Sequence, residues 1–317
     1  MEIKKVAILG AGAVGAYVIE GMMTNQEICV GVIAEGERYA RLQKEGCTIN
    51  RVNYRPEVWT PKEAYGVDLL IVSLKYGALS GALNAIKEVV GENTIVMSLM
   101  NGVDSEEIIG EQIGMSHILP ALIKVASHKE EDGFHFDRKS TVGIIFGEYQ
   151  ANQSERVQAV SRLFEKSDIN YRVTDCIREE IWSKFRLNVC NNLPQAILGA
   201  GVGCYVDSIH MKAISEGLRR EVEAIASAKG IKFSKVESSA KGSPVKPSAR
   251  YSTLQDLDAG RHTEIDMFSG ALMRMGAELG IPTPYNEYTY HMIKALEEKN
   301  DGLFDYDGKN DKLTCSK

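Results

Sequence analysis

The stretch Val6–Gly15, reading VAILGAGAVG, constrains this chain more than any other. Val6 to Leu9 are apolar and suit a parallel strand buried on both faces. Gly10, Gly12 and Gly15 come next, in G-x-G-x-x-G spacing. In a dinucleotide-binding turn such glycines serve the tight turn, the close approach of a pyrophosphate and the packing of helix on strand. The next segment, AVGAYVIEGMMT, predicts a helix whose N-terminus, with Ala13 and Val14 in its first turn, faces the phosphates. A second strand, ICVGVIAE, ends at Glu35. An acid about 20 residues past the glycines is where the fingerprint binds a ribose. The glycine spacing alone would equally suit a turn with no ligand. A strand before it, a helix after it and an acid-ended second strand make it a candidate nucleotide site.

The letters AILGAG recur at 196–201 in a different context. Before them, in EEIWSKFRLNVCNNLPQ, Ile181, Phe185, Val189 and Leu193 recur every four residues and predict a helix. The glycines are Gly199, Gly201 and Gly203, and Cys204 stands where the third fingerprint glycine would fall. Beyond it, the segment VDSIHMKAISEGLRREVEAIASAKG predicts another helix with Ile214, Leu218, Val222 and Ile225 on one face. The second copy therefore reads as a helix end and connector, where glycine permits a left-handed backbone.

Strands and helices alternate through the first half. VDLLIVSLK (67–75), TIVMSLMNG (94–102), HILPALIKVAS, TVGIIFGE (141–148) and INYRVTD (169–175) read as strands, and NQSERVQAVSRLFEKSD as an amphipathic helix. This alternation argues an α/β fold with a doubly wound parallel sheet over 1–175. From 176 to 317 the pattern is almost wholly helical, interrupted by the Ser/Pro/Lys-rich loop 238–249 and closed by a polar tail from 301. A length of 317 residues suits two such domains. The net charge of −6 gives no reason to expect nucleic acid or an anionic membrane surface as partner. Six cysteines without a C-x-x-C read as reduced, mostly buried thiols of a cytoplasmic protein, with Cys315 in the tail. No signal-like or membrane-spanning apolar run is expected, and the histidines show no metal-ligand spacing.

In open α/β sheets ligands bind beyond the carboxyl ends of the strands. Lys75 and Asn101 fall at two such ends, although either could be a surface lysine or a turn asparagine. In the helical half Lys184, Asn188 and Asn192 stand at i, i+4 and i+8, on one helix face with a slow drift. Such a face could simply be solvated. An ammonium beside two amides could also orient and polarise a small carbonyl compound. Ser252 and Asp256 share a face of STLQD, and Glu264 lies in GRHTEIDMFSG, where a helix-capping role is the plain alternative. His262 reads as an exposed residue at a helix start.

These pieces together resemble the ketopantoate reductase (2-dehydropantoate 2-reductase) family. The matching stretches are AILGAGAVG, SLK ending at Lys75, MNGV around Asn101, WSKFRLNVCNN around Lys184, and STLQD with TEID at Glu264 after it. The resemblance implies a Rossmann-type domain followed by a helical domain for substrate and dimer contacts. It implies reduction of 2-dehydropantoate with NADPH in pantothenate synthesis. It makes Lys184 the general acid and Glu264 the ligand of the substrate hydroxyl. It also implies that Asn101, Asn188, Asn192 and Ser252 line the site, with Lys75 and Asn101 toward the nicotinamide and Gly10, Gly12, Ala13, Val14 and Gly15 on the pyrophosphate.

The sequence departs from the family in two places. Glu35, with glycine after it, stands where many members hold the adenosine 2′-phosphate with an arginine, which favours NADH. Val202 and Ala249 stand where relatives place asparagines. Another branched or aromatic 2-oxo acid is therefore an alternative substrate, and a dinucleotide-binding redox sensor the alternative outside catalysis. A sensor has no need of Lys184 together with Glu264.

Overall fold

The computed structural model describes residues 1–150, 154–236 and 245–304. The chain divides into two compact units, Met1–Ser183 with Ile231–Ser238, and Lys184–Gly230 with Ser239–Lys317.

The first unit is built on a five-stranded parallel sheet. Its order is β5 (Glu57–Trp59), β2 (Cys29–Ile33), β1 (Lys5–Leu9), β6 (Leu69–Val72) and β7 (Ile95–Ser98). Val6 pairs with Val30 on one side and Leu69 on the other. Along β1, Val6 and Ile8 enter one apolar cluster while Ala7 and Leu9 enter the opposite one. Both faces are covered, which is why the strand reads as an unbroken apolar run. Helices α1 (Ala13–Met22) and α2 (Gly36–Glu45) come after β1 and β2, and α3 (Leu79–Val89) and α4 (Ser105–Ile113) after β6 and β7. This is the Rossmann-type sheet that the sequence leads one to expect.

The later strands do not extend that sheet. β8 (Ala121–Lys124), β11 (Gly143–Phe146) and β12 (Tyr171–Val173) form a sheet of their own, with β11 antiparallel to β8 and parallel to β12. One bridge, Val96 to Ile118, links the β7 edge to the segment entering β8. The antiparallel pairing stems from connectivity. No helix separates β8 from β11, and a parallel pair needs a crossover. The intervening chain instead forms the hairpin β9 (His128–Glu130) and β10 (Gly133–His135), which pairs with β3 (Cys47–Ile49) and β4 (Val52–Tyr54). The sequence pattern reveals none of these four strands, because three residues are too few to show an alternation. Helix α5 (Glu155–Lys166) starts at Ser154, whose hydroxyl accepts the N–H of Val157.

The second unit is helical, and no strand occurs among the described residues after Val173. α6 (Ile177–Leu187) belongs to the first unit up to Ser183 and enters the second at Lys184; the chain then runs through a π-turn at Asn188–Asn192 into α7 (Leu193–Leu198). Next come α8 (Cys204–Asp207), α9 (Ile209–Ala228), α10 (Ser252–Asp258), α11 (Ser269–Leu279) and α12 (Pro284–Asn300). α7 ends at Gly199 in the left-handed conformation, φ 70°, as a helix-ending reading of the second AILGAG requires. On α9 the expected face needs correction. Leu218, Val222 and Ile225 are fully buried, but Ile214 is exposed, and Met211 and Ser215 take the inward positions. By helical period Ile214 falls within the same arc, between Ile225 and Glu221, so its exposure is not set by local spacing.

Of the described cysteines, Cys47 and Cys190 are buried, Cys29, Cys176 and Cys204 are half-buried, and all are free thiols. That is less burial than expected. Residues 238–244 of the expected loop and 305–317 of the expected tail, with Cys315, lie outside the described residues.

Candidate active site

The three fingerprint glycines have different neighbours. Gly10 adopts φ +109°, and a Cβ there would lie 2.6 Å from the Ser73 carbonyl oxygen. Ser73 Oγ also donates to the Gly10 carbonyl at 2.7 Å. A Cβ on Gly15 would lie 2.0 Å from the Gly10 oxygen. Both glycines are thus required by the protein's own backbone. Gly12 is not, since a Cβ there would meet no atom within 4 Å. Gly12 is the N-cap of α1, whose first turn, with Ala13 and Val14, holds no acidic side chain. A helix N-terminus with an open glycine and no competing carboxylate suits a pyrophosphate.

The other expected groups in this unit sit on the same edge of the sheet. Glu35, after β2, is exposed at the N-cap position of α2 and makes no side-chain capping bond. Lys75, after β6, is exposed at the start of a 3-10 turn, Tyr76–Ala78. Asn101, after β7, is half-buried beside Gly102, which has φ +94°. A pocket of about 460 Å³ opens beside Glu35, lined also by Pro61, Gly81, Asn84, Ala85, Lys87 and Glu88. The α3 contribution escaped the sequence reading, although a signal was present. Gly81, Asn84, Ala85 and Glu88 repeat at helical spacing away from the buried Leu79, Ile86 and Val89.

In the second unit Lys184 is half-buried in the last turn of α6. Asn188 and Asn192 are 9% and 5% exposed, so this is not a solvated face. Both belong to the π-turn. In an α-helix four residues overshoot one turn. A π-turn closes i to i+5, so four residues fall short of one. The two drifts oppose, and Lys184, Asn188 and Asn192 align better than on a straight α-helix. Asn192 Nδ2 donates to Asn188 Oδ1 at 3.2 Å. Asn192 Oδ1 is buried with no hydrogen-bond partner. Leaving a buried acceptor unpaired costs roughly 1–3 kcal/mol, and the usual reason is a ligand or water donor. Phe185, Val189 and Leu193, each one residue on and so roughly 100° round the helix, are fully buried. Cys190 lies among them, its thiol pushed up to about 12 by burial, which makes it a poor nucleophile.

Ser252 is exposed at the first position of α10, whereas Asp256 is buried and pairs with Arg261 Nε at 2.9 Å. The two do not share an environment as the spacing suggested, because Asp256 turns inward to its arginine. Glu264 is half-buried in the turn before α11, and its carbonyl accepts the N–H groups of Met267 and Phe268 at 3.0 and 3.2 Å. It precedes α11, whose N-cap is Phe268, without a side-chain cap bond. His262 is exposed, bonded to Asp301 at 2.8 Å, and does not start a helix.

Val202 donates its N–H to the Ala249 carbonyl at 3.0 Å, so these two positions are neighbours. Gln195, fully buried, donates to the same carbonyl at 2.8 Å and accepts the Tyr251 N–H at 2.8 Å. It thereby tethers the segment leading to Ser252, a role no local pattern announced. In the first unit the hairpin brings Glu130, Asp132 and His135 together. Their mutual contacts and the approach of Arg51 to Asp132 account for that grouping.

Comparison with known proteins bears on the whole length. The family described as ketopantoate reductase PanE/ApbA matches residues 6–151, and its C-terminal part matches residues 176–297. The chain belongs to the ketopantoate reductase family. Its members are NAD(P)-dependent oxidoreductases acting on CH–OH groups, which decides for an enzyme over a sensor. The 2-dehydropantoate 2-reductase of Pyrococcus horikoshii is 29% identical, over 94% of this chain and 99% of its own. The solved PanE/ApbA family ketopantoate reductase of Ralstonia eutropha JMP134 superposes with a TM-score of 0.80 at 25% identity, covering 94% of this chain and 99% of that one. D-mandelate dehydrogenase, solved with NADH and anilino(oxo)acetate, shares the fold with a TM-score of 0.78 at 21% identity, over 94% of this chain and 99% of that one. Among the described residues no helix is long and apolar enough to cross a membrane.

Proposed function

We propose that this ketopantoate reductase family member reduces 2-dehydropantoate to pantoate with NADH, and that Lys184 donates the proton. The observation that carries this reading is the Lys184 face of the α6–π-turn segment, with a buried amide pair whose Asn192 Oδ1 lacks a partner. The nicotinamide supplies the hydride when bound. A ketone that accepts hydride becomes an alkoxide, and an ammonium within reach stabilises that charge and gives up its proton. Asn188 orients Asn192 and leaves the Asn192 carbonyl to a donor from bound water or cofactor. Glu264, outside any helix, accepts from the substrate hydroxyl. Ser252 adds a hydroxyl at the start of α10.

On the cofactor side, Gly12 and the first turn of α1 fit a pyrophosphate, with Lys75 and Asn101 toward the nicotinamide. Glu35 lines the pocket without a capping bond, so its carboxylate is available to a ribose 2′-hydroxyl. A 2′-phosphate would meet like charge there. At about 4 Å that repulsion is on the order of 4 kcal/mol per unit pair at an effective dielectric of 20.

A second substrate reading has its own support. Val202 beside Ala249 puts apolar groups where relatives carry amides, and a protein of the same fold acts on mandelate. These favour a branched or aromatic 2-oxo acid without the hydroxyl. The test is kcat/KM for 2-dehydropantoate, 2-oxoisovalerate and phenylglyoxylate, each with NADH and NADPH. 2-Dehydropantoate with NADH is expected to lead. If either other acid leads, the second reading stands. If NADPH exceeds NADH by about tenfold, equivalent to about 1.4 kcal/mol, the role given to Glu35 is wrong.

A further inference from the structure

The segment that presents Glu264 is held by a buried carboxylate from a distant helix. Glu297 on α12 is 2% exposed. Its Oε1 accepts both the backbone N–H and the hydroxyl of Thr263, each at 2.7 Å. Thr263 Oγ1 accepts the N–H of Ile265 at 3.2 Å. The residues on either side of Glu264 are therefore tied to one carboxylate oxygen, directly or through one hydroxyl. Glu297 Oε2 meets Lys294 Nζ at 3.1 Å and His262 Nδ1 at 3.7 Å, and His262 Nε2 reaches Asp301 at 2.8 Å.

We propose that Glu297 is a positioning residue for Glu264, and that it sets the preference of this reductase for a hydroxylated 2-oxo acid. The proposal rests on the reading of Glu264 as the ligand of the substrate hydroxyl. Burying a carboxylate is costly unless donors and a counter-charge meet it. Here Thr263 gives two hydrogen bonds to Oε1, while Oε2, without a hydrogen bond of its own, lies 3.1 Å from the Lys294 ammonium. An anchor needed only to close a surface turn requires no buried charge. What this anchor adds is direction. With Thr263 and Ile265 tied and the Glu264 carbonyl engaged by Met267 and Phe268, the Cα–Cβ bond of Glu264 has one orientation. A hydrogen-bonding site discriminates only when its acceptor stands where the hydroxyl arrives.

The experiment measures the ratio of kcat/KM for 2-dehydropantoate over 2-oxoisovalerate in the wild type and in Glu264→Ala, Glu297→Ala, Glu297→Gln and Thr263→Val. Circular dichroism and thermal melts establish folding. Glu264→Ala should collapse the ratio by roughly tenfold or more. Glu297→Ala should collapse it comparably, through KM for 2-dehydropantoate. Glu297→Gln, whose amide oxygen still accepts from Thr263, should recover most of it. If Glu297→Ala does not fold, Thr263→Val, which removes one donor and keeps the N–H, should give a partial loss. A folded Glu297→Ala or Thr263→Val with the wild-type ratio overturns the proposal, as does a collapse in Glu297→Gln as deep as that in Glu297→Ala. A wild type without preference, or a Glu264→Ala that keeps it, defeats the underlying reading of Glu264 and the proposal with it.

Discussion

At 7–12 the letters AILGAG form the end of β1 and its turn, while at 196–201 they form the end of α7 and a connector. Ala7, Ile8 and Leu9 are buried between β2 and β6, whereas Leu198 is 53% exposed. Gly10 and Gly199 both adopt positive φ, +109° and +70°, for different reasons. Gly10 lets the chain turn against Ser73, and Gly199 ends a helix in open space. The middle glycines differ most. A Cβ on Gly12 meets nothing, but one on Gly201 would lie 2.3 Å from the Pro247 oxygen. In the first copy the chain leaves that glycine to something else, and in the second the chain itself fills the space. The middle glycine, not the motif, thus separates a turn with room beside it from a connector whose space the chain fills.

The largest effect should come from the half that carries the second copy. Lys184→Ala is expected to lower kcat by roughly 10²–10⁴ while leaving NADH binding, measured by fluorescence titration, nearly intact. Near-wild-type turnover in a folded variant would remove Lys184 from the proton transfer.

Within the first copy, Gly15→Ala and Gly12→Ala should behave oppositely. Gly15→Ala places a methyl 2.0 Å from the Gly10 oxygen and should cost roughly 3 kcal/mol or more of stability. Gly12→Ala should leave the melting temperature unchanged and weaken NADH binding by roughly tenfold, the loss of one charge-assisted hydrogen bond. Equal melting temperatures for the two variants would break the contrast.

A third prediction sets a titrating group of the nucleotide half against the neutral amides of the other. Glu106, 4% exposed in the first turn of α4, has its carboxyl pushed up to about 7, first by burial and further by Asp104. Ser105 Oγ, which donates at 2.9 Å, works in the other direction. Folding therefore favours the protonated acid. That stability is fully present below the unfolded value of 4.5 and is lost as pH rises through about 7. At about 1.4 kcal/mol per unit, the full loss is between roughly 3 and 4 kcal/mol. Against Glu106→Gln, wild-type melting temperature should fall progressively from pH 5 to pH 8 in a series spanning roughly that window. Parallel melting curves for the two proteins would show that Glu106 does not titrate there.

The smallest effect should come from Gly199→Ala. It adds left-handed strain of roughly 1–2 kcal/mol but no contact, because nothing lies within 4 Å. Urea melts should show that loss with unchanged kcat and unchanged NADH affinity. A change in NADH affinity would mean that the second copy is not a plain connector.

What the sequence determined by itself is what neighbouring residues decide. The strand–glycine–helix order at 5–22, the acid after β2 and the apolar repeat at Ile181, Phe185, Val189 and Leu193 were all legible, since backbone sterics and helical period act over a few residues. The polar face at Lys184, Asn188 and Asn192 was visible as spacing, but its burial and its π-turn were not. Tertiary structure alone decided the rest. β8, β11 and β12 left the parallel sheet because no helix joins β8 to β11. Ile214 faced outward because the α9 stripe is set by what packs on it. Glu297 found Thr263 across 34 residues, and Val202 found Ala249 through the path of a loop. Contacts of that span depend on the closed fold, because each bond forms only after the entropy of closing its loop has been met by packing elsewhere.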